Sequence, residues 1–228
     1  MVNNKVCVIV GGADVICAYS AKEMAKNGYV TAIVDTNIDN AKRIADEICT
    51  FGGLAKAYEG DCYNYESLSY VRGLICAEFG KCNVIVNNLQ DGLDGIFALD
   101  CALISTKVFV GEMSGESGCS VVNICSSGGH EKAAEDLTKK MAVNLADTGI
   151  RVNAIVYNNI VARSNKSEFY NDDNTPTEVA QTMLEAIPMR RFGRPDEVVG
   201  ALKYLSDPMA ASYTTGTVIR VDGGCSAR

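Results

Sequence analysis

Short runs of Val, Ile and Cys alternate with helix-patterned segments along this whole chain, and that alternation limits the folds open to it. The apolar runs fall at Val6–Val10, Val30–Val34, Leu54–Tyr58, Asn83–Val86, Val121–Ile124, Val152–Val156 and Thr217–Val221. Helical patterns occupy Ala18–Lys26, Asn40–Cys49, Tyr65–Phe79, Ile96–Met113, Lys132–Ala146, Thr177–Ile187 and Glu197–Ser206. A strand that is apolar at every residue must be covered on both faces, and the amphipathic segments between strands supply the cover. The spacing predicts an α/β fold: a doubly wound parallel sheet of Rossmann type in three α/β/α layers, built as a single domain over residues 1–228. The Asn-, Asp- and Ser-rich stretch Asn158–Pro176 reads as a loop, either a mobile flap or a disordered segment.

Composition excludes several classes of function. The chain is 47% hydrophobic and 21% charged, and no apolar run approaches the roughly 18 to 20 residues of a membrane span. Met1–Lys5 passes directly into the first apolar run, with no basic leader or small-residue cleavage site, so a soluble cytoplasmic protein without a membrane partner is expected. A net charge of −7, with basic residues scattered apart from pairs such as Lys139-Lys140 and Arg190-Arg191, argues against nucleic acid as a partner. The ten cysteines mostly lie inside apolar patterns, as at Cys7, Cys49, Cys76 and Cys101, and are expected to pack as small hydrophobes in a reducing compartment. With one histidine, His130, and no Cys-x-x-Cys, no metal-ligand spacing is present and no metal is expected.

The most specific stretches are Gly149-Ile-Arg-Val-Asn-Ala154, Arg191-Phe-Gly-Arg-Pro-Asp-Glu197 and the terminal Val221-Asp-Gly-Gly224. Asp61-Cys62 follows the third apolar run, Asn87-Asn88 the fourth, and Ser120–Ser126 forms the fifth. In order and rough spacing these resemble the short-chain dehydrogenase/reductase family over nearly the whole chain. The resemblance implies a nicotinamide dinucleotide bound at a glycine-rich turn after the first strand, where the family carries Thr-Gly-x-x-x-Gly-x-Gly.

Here that turn reads Val10-Gly-Gly-Ala-Asp-Val-Ile-Cys17. By resemblance the cofactor-side positions are Gly11, Val15, Ile16, Asp35, Asp61, Cys62 and Asn87. Two family glycines are replaced by Val15 and Cys17; the branched Cβ of Val15 is expected to intrude on the diphosphate, and Asp14 to repel it. Asp35 ends the second strand, where an acidic side chain accepts from a ribose diol and repels a 2′-phosphate, favouring NAD; it could equally help cap the helix that starts near Asn37. Leu89-Gln90 adds bulk where the family has Ala-Gly, and Tyr157-Asn158 replaces its Pro-Gly. NAD is therefore expected to bind weakly or not at all.

The family works with a tyrosine, a lysine one helical turn later, a serine and an asparagine. No Tyr-x-x-x-Lys occurs in this chain, and no tyrosine lies between Tyr70 and Tyr157. Ser126 aligns with the family serine and Lys132, or Glu131, with its lysine, but only six residues separate Ser126 from Lys132 where the family has about three times as many. The family asparagine falls near Ala98, after another shortened loop. Both shortened loops line the substrate pocket in the resembling fold. The expectation is a family member that has lost most or all activity and serves as a binding or assembly subunit. The alternative is an atypical NAD-dependent oxidoreductase acting on a carbonyl or alcohol with relocated groups, for which Tyr157 is the best-placed phenol unless it merely fills space. A hydrolase built on Ser126 and His130 would need Glu131 or Asp136 to orient the histidine and the Gly128-Gly129 amides as an oxyanion hole.

Family members associate through two central helices and the C-terminal helix and strand, here Ile96–Met113, Lys132–Ala146 and Glu197–Val221. The apolar series Leu99, Leu103, Val110 and Met113 fits a homo-oligomer, a dimer or tetramer, or a hetero-oligomer with an active relative; it fits the core face of a monomer as well.

Overall fold

The computed structural model describes residues 5–89, 96–113, 118–128 and 131–228, the side chains of 96–98 excepted. The chain alternates β1 (Lys5–Val10), α1 (Val15–Lys26), β2 (Tyr29–Asp35), α2 (Ile38–Thr50), β3 (Ala55–Glu59), α3 (Tyr65–Phe79) and β4 (Cys82–Leu89). It continues through α4 (Ile96–Met113), β5 (Ser120–Ser126), α5 (Glu131–Leu145), β6 (Arg151–Tyr157), α6 (Lys166–Phe169), α7 (Glu178–Ala186), α8 (Pro195–Ser206) and β7 (Val218–Val221). Among the described residues seven strands pair, all in parallel, in the order β3-β2-β1-β4-β5-β6-β7. The winding direction reverses between β1 and β4, which opens a crevice at their carboxyl ends, the place where open α/β sheets hold ligands.

Alternation along the strands sorts the core into two layers. Cys7, Ile9, Ile33, Val84, Val86, Val122, Ile124 and Ile155 pack with α1, α2 and α8, while Val6, Val8, Val34, Ile85, Val121 and Val152 pack with α3, α4 and α5. Phe109 on α4 is fully buried in the second layer, and its truncation to Ala should cost about 3 to 5 kcal/mol. Among the described residues, four helices begin on a side-chain cap. Asp14 accepts the Ile16 amide, Asn37 that of Asn40, Asn64 that of Ser67 and Thr177 that of Ala180, at 2.9 to 3.2 Å.

Three expectations need correction. The stretch Asn158–Pro176 is built rather than loose: α6 lies inside it, Tyr170 bridges to Pro176, Ile160 bridges to Gly193, and the rings of Phe169 and Tyr170 stand edge-on to Phe192 with centroids at 4.9 and 6.0 Å. Cys49 is exposed and Cys76 half-buried, so neither packs fully into the core. The series on α4 is divided: Met113 is fully buried in the core, Leu99 and Val110 are half-buried, and Leu103 is 45% exposed. Among the described residues, no helix is long and apolar enough to cross a membrane.

Candidate cofactor and active site

The carboxyl ends of β1 through β4 surround a cavity of about 180 Å³ lined by Gly11, Asp35, Thr36, Gly60, Asp61, Cys62, Tyr63 and Asn88. Four of the seven cofactor positions named from the sequence, Gly11, Asp35, Asp61 and Cys62, meet there. Close packing makes the cavity possible. Gly11 adopts a left-handed φ of 71°, and a Cβ on Gly12 would stand 2.7 Å from Ile33 Cγ2 and 3.1 Å from the Ile9 carbonyl oxygen. Both glycines are thus required by the chain's own packing, Gly11 against Asn88 and Gly12 against Ile33 and Ile9.

The turn between β1 and α1 has already bonded many of its own amides. Gly11 and Gly12 donate to the Val34 carbonyl at 2.9 and 3.2 Å, Ala13 donates to Asp35 Oδ2 at 2.9 Å, and Ile16 donates to Asp14 Oδ2 at 3.1 Å. Asp35 Oδ1 accepts from the Asn37 amide at 2.8 Å, so this carboxylate ties the turn to the start of α2 while still lining the cavity. Asn37, not Asp35, is the helix cap. Val15 and Ile16 do not line the cavity: Val15 opens α1 half-buried, and the Ile16 side chain packs into the core. Beside Val15 the Asp14 carboxylate occupies the Ile16 amide at the start of α1. Cys17 is fully buried, where burial first, then the charges of Asp14 and Asp35, push its thiol up.

Asn87 does not reach the cavity, against expectation. Its side chain points to the α4–α5 side of the sheet, donating to Asn123 Oδ1 at 2.9 Å and to Thr106 Oγ1 at 3.3 Å and accepting from Ser105 Oγ at 2.5 Å, while Asn123 donates to Thr138 at 3.0 Å. A fully buried amide needs such partners, and they leave Asn87 outside the cavity. Asn88 takes the place, with Nδ2 donating to the Gly11 carbonyl at 3.1 Å. The signal was in the sequence: along β4 residues 84, 86 and 88 share one face, so Asn88 and not Asn87 faces α1.

On the catalytic side, Ser126 ends β5 and Tyr157 ends β6 as direct register partners, and the Ser127 amide donates to the Tyr157 carbonyl at 2.8 Å. Register partners in a parallel pair project to the same face, so the Ser126 hydroxyl and the Tyr157 ring lie side by side on one face, both half-buried, with Tyr157 packed against the core layer of α1, α2 and α8. Lys132 is not with them. Its ammonium pairs with Asp136 Oδ1 at 3.0 Å on the outer face of α5, which raises the lysine pKa, and its side chain is 76% exposed. Gln90, Gly129, His130 and the side chain of Ala98 lie outside the described residues, which removes the Ser126–His130 pairing and the family asparagine from the geometry described here. Beyond β6 and β7 a larger cavity, about 330 Å³, is lined by residues including Asn158, Asn159, Arg191, Glu197, Arg220 and Asp222. There Arg191 grips Glu197 with two hydrogen bonds, 2.7 and 2.9 Å, and the Glu197 carboxyl falls to a pKa of about 2, held first by Arg191 and then by the Arg194 amide.

Against known proteins, residues 5–90 match the family model described as short chain dehydrogenase, and residues 109–226 match the one described as enoyl-(acyl carrier protein) reductase. An uncharacterized oxidoreductase of Haemophilus influenzae is 30% identical over 267 positions, covering 98% of this chain and 94% of the relative. That alignment is longer than this chain's 228 residues, so gaps in this chain fall opposite segments that the relative retains. Among solved structures, a candidate D-mannonate oxidoreductase from Haemophilus influenza with bound NAD superposes with a TM-score of 0.89 at 30% identity, covering 99% of this chain and 96% of that one. A hydroxysteroid dehydrogenase from Escherichia coli superposes with a TM-score of 0.85 at 29% identity, covering 96% and 95%. All are described as oxidoreductases or dehydrogenases, which lends no support to the expectation of an inactive chain.

Proposed function

This chain belongs to the short-chain dehydrogenase/reductase family, and we propose that it is an NAD-dependent oxidoreductase of an alcohol or carbonyl substrate whose proton-handling groups are Ser126 and Tyr157. The observation that carries this reading is their register at the carboxyl ends of β5 and β6. Similarity to a structure that holds NAD supports the choice of cofactor. Gly11, Asp35, Asp61, Cys62 and Asn88 would hold the adenosine half, and Asp35 carries the charge that disfavours a 2′-phosphate. Bound there, the cofactor supplies hydride exchange with the substrate carbon.

The chain's own contribution is to hold and protonate the oxygen. In this reading the Ser126 hydroxyl donates to the substrate oxygen and the Tyr157 phenol exchanges the proton, a role worth about 10² to 10⁴ in rate. The cavity beside β6 and β7 receives the rest of the substrate, where the Asn158 and Asn159 amides and Arg220 offer donors to a polyol or an acid. Assays of NAD reduction with secondary alcohols, sugar acids and hydroxysteroids test the proposal. Turnover with one class supports it, and protein that binds NAD yet turns over none of them refutes it.

A second reading, a binding or assembly subunit with little activity, is favoured by the Asp14 carboxylate on the Ile16 amide and by the outward Lys132. For either reading we propose self-association through α4 and α5, supported by exposed Leu103 and Val143 and by an apolar groove lined by Ala142, Val143, Ala146 and Gly216. Light scattering at low micromolar concentration should give a dimer or tetramer; a monomer removes that part.

A further inference from the structure

The cavity beyond β6 and β7 begins one residue past Tyr157. Asn158 lines it, and so does Val221, the register partner of Tyr157 on β7. Asn159 lines it as well, with a left-handed φ of 53° that breaks the alternation by which consecutive strand residues face opposite ways. Asparagine is one of the few residues besides glycine that visits this region. The backbone there is fixed by the Gly193 amide on the Asn159 carbonyl at 3.0 Å and the Val161 amide on the Gly193 carbonyl at 2.9 Å.

Each of these two side-chain amides has one end committed to the protein. Asn158 Oδ1 accepts the Asn159 backbone amide at 2.8 Å, which leaves the two N–H groups of Nδ2 as donors. Asn159 Nδ2 donates to Cys225 Sγ at 3.6 Å, which leaves Oδ1 as an acceptor. Among the described residues, neither remaining end has a protein partner. A donor and an acceptor on neighbouring residues at one cavity edge suit a chain of hydroxyls, since each hydroxyl both donates and accepts.

The charged groups of the same cavity are matched within the protein. Arg191 bonds Glu197 through both terminal nitrogens, at 2.7 and 2.9 Å, and Arg220 pairs with Glu135 at 3.1 Å. The Asp222 carboxylate accepts the Gly224 and Ser226 amides, both at 2.9 Å. A ligand carboxylate would meet Glu197 and Asp222 with both lining arginines already paired, whereas a neutral ligand disturbs none of these pairs.

We propose that this cavity recognises a neutral polyhydroxy alcohol, an alditol or the corresponding keto sugar, in preference to a sugar acid, with Asn158 donating to one hydroxyl and Asn159 accepting from its neighbour. As a substrate class this rests on the oxidoreductase reading above, whereas binding of the polyol does not.

Matched pairs test it: xylitol with D-xylonate, D-glucitol with D-gluconate, and D-mannitol with D-mannonate, each pair differing by one terminal carboxylate. Turnover with NAD gives kcat and KM, and saturation-transfer NMR on the same protein reads binding apart from turnover. We expect at least one alditol to bind and to be oxidised with kcat/KM above that of its aldonate by about tenfold or more. Asn158→Ala and Asn159→Gly, the latter at ease with the left-handed φ, should each raise KM for that alditol about 2- to 10-fold, as loss of a neutral hydrogen bond does, with a smaller change in kcat. An aldonate used as well as its alditol overturns the proposal, and so does 2-butanol or a hydroxysteroid turned over in preference to every alditol; the oxidoreductase reading survives both results. An unchanged KM in both variants overturns the two asparagine contacts, and the absence of both binding and turnover for every alditol overturns the site. If an alditol binds, its aldonate does not, and no alcohol is turned over with NAD, the polyol site stands while the oxidoreductase reading fails.

Discussion

The carboxylate of Asp14 closes on the amide of Ile16 at 3.1 Å, so α1 carries its own anion at the end where a dinucleotide diphosphate would bind. Asn caps a helix about as well as Asp, so Asp14→Asn removes the charge and keeps the cap. Relief of about 1 kcal/mol of partly screened repulsion corresponds to about fivefold tighter NAD binding. Calorimetry that finds unchanged affinity would separate Asp14 from the cofactor site.

Asp35 has a structural duty wider than the helix-start role the sequence suggested, because both its oxygens accept backbone amides, Ala13 at one and Asn37 at the other. Asp35→Ala leaves both without their acceptor and should lower the unfolding free energy by about 1 to 3 kcal/mol. Urea denaturation checks this. A variant as stable as the parent would mean that the turn holds without its carboxylate.

Asn87→Ala should behave differently from a cofactor-site change. It leaves Asn123 Oδ1 without its donor inside the core, at about 1 to 3 kcal/mol, while Ser105 keeps its bond to the Ala102 carbonyl. NAD affinity of the surviving folded protein should be unchanged, because the side chain faces away from the cavity. Weakened NAD binding with full stability would return Asn87 to the site.

These contrasts show what the sequence could and could not say. The strands were legible where Val and Ile dominate them, as in β1 and β2, while β3 alternates Ala and Tyr with Lys and Glu; the helices were legible where their faces are periodic. Helix α1 begins at Val15, before its periodic pattern at Ala18, since its start is set by a capping bond from Asp14 rather than by hydrophobicity. The order of the 158–176 stretch was illegible because it comes from Phe169 and Tyr170 meeting Phe192, more than twenty residues later. The Asn87 assignment followed family resemblance against the parity of β4, and parity was right about which side chain reaches the crevice. The outward turn of Lys132 depends on how α5 sits on the sheet, which six residues of spacing do not specify.

Glu197 provides a pH signature. Its folded pKa of about 2 lies below the ordinary 4.5, so it contributes stability that is fully present above pH 4.5 and is lost as pH falls toward 2. Glu197→Gln loses the bonds to Arg191 and to the Arg194 amide that starts α8, and should be less stable at neutral pH by about 0.5 to 2 kcal/mol, the usual worth of a helix-end capping bond. The gap from the parent should narrow between pH 4.5 and 2. Tm profiles that run parallel over that range would exclude the linkage.

If the phenol beside Ser126 has taken the proton-transfer role, replacing Tyr157 by Phe removes it. Steady-state kinetics with NAD and the best substrate of the panel should show kcat for Tyr157→Phe falling by about 10² to 10⁴, with the NAD-induced rise in Tm retained. A variant whose kcat stays within a few-fold of the parent would contradict the claim, and the proton would have to travel by another group.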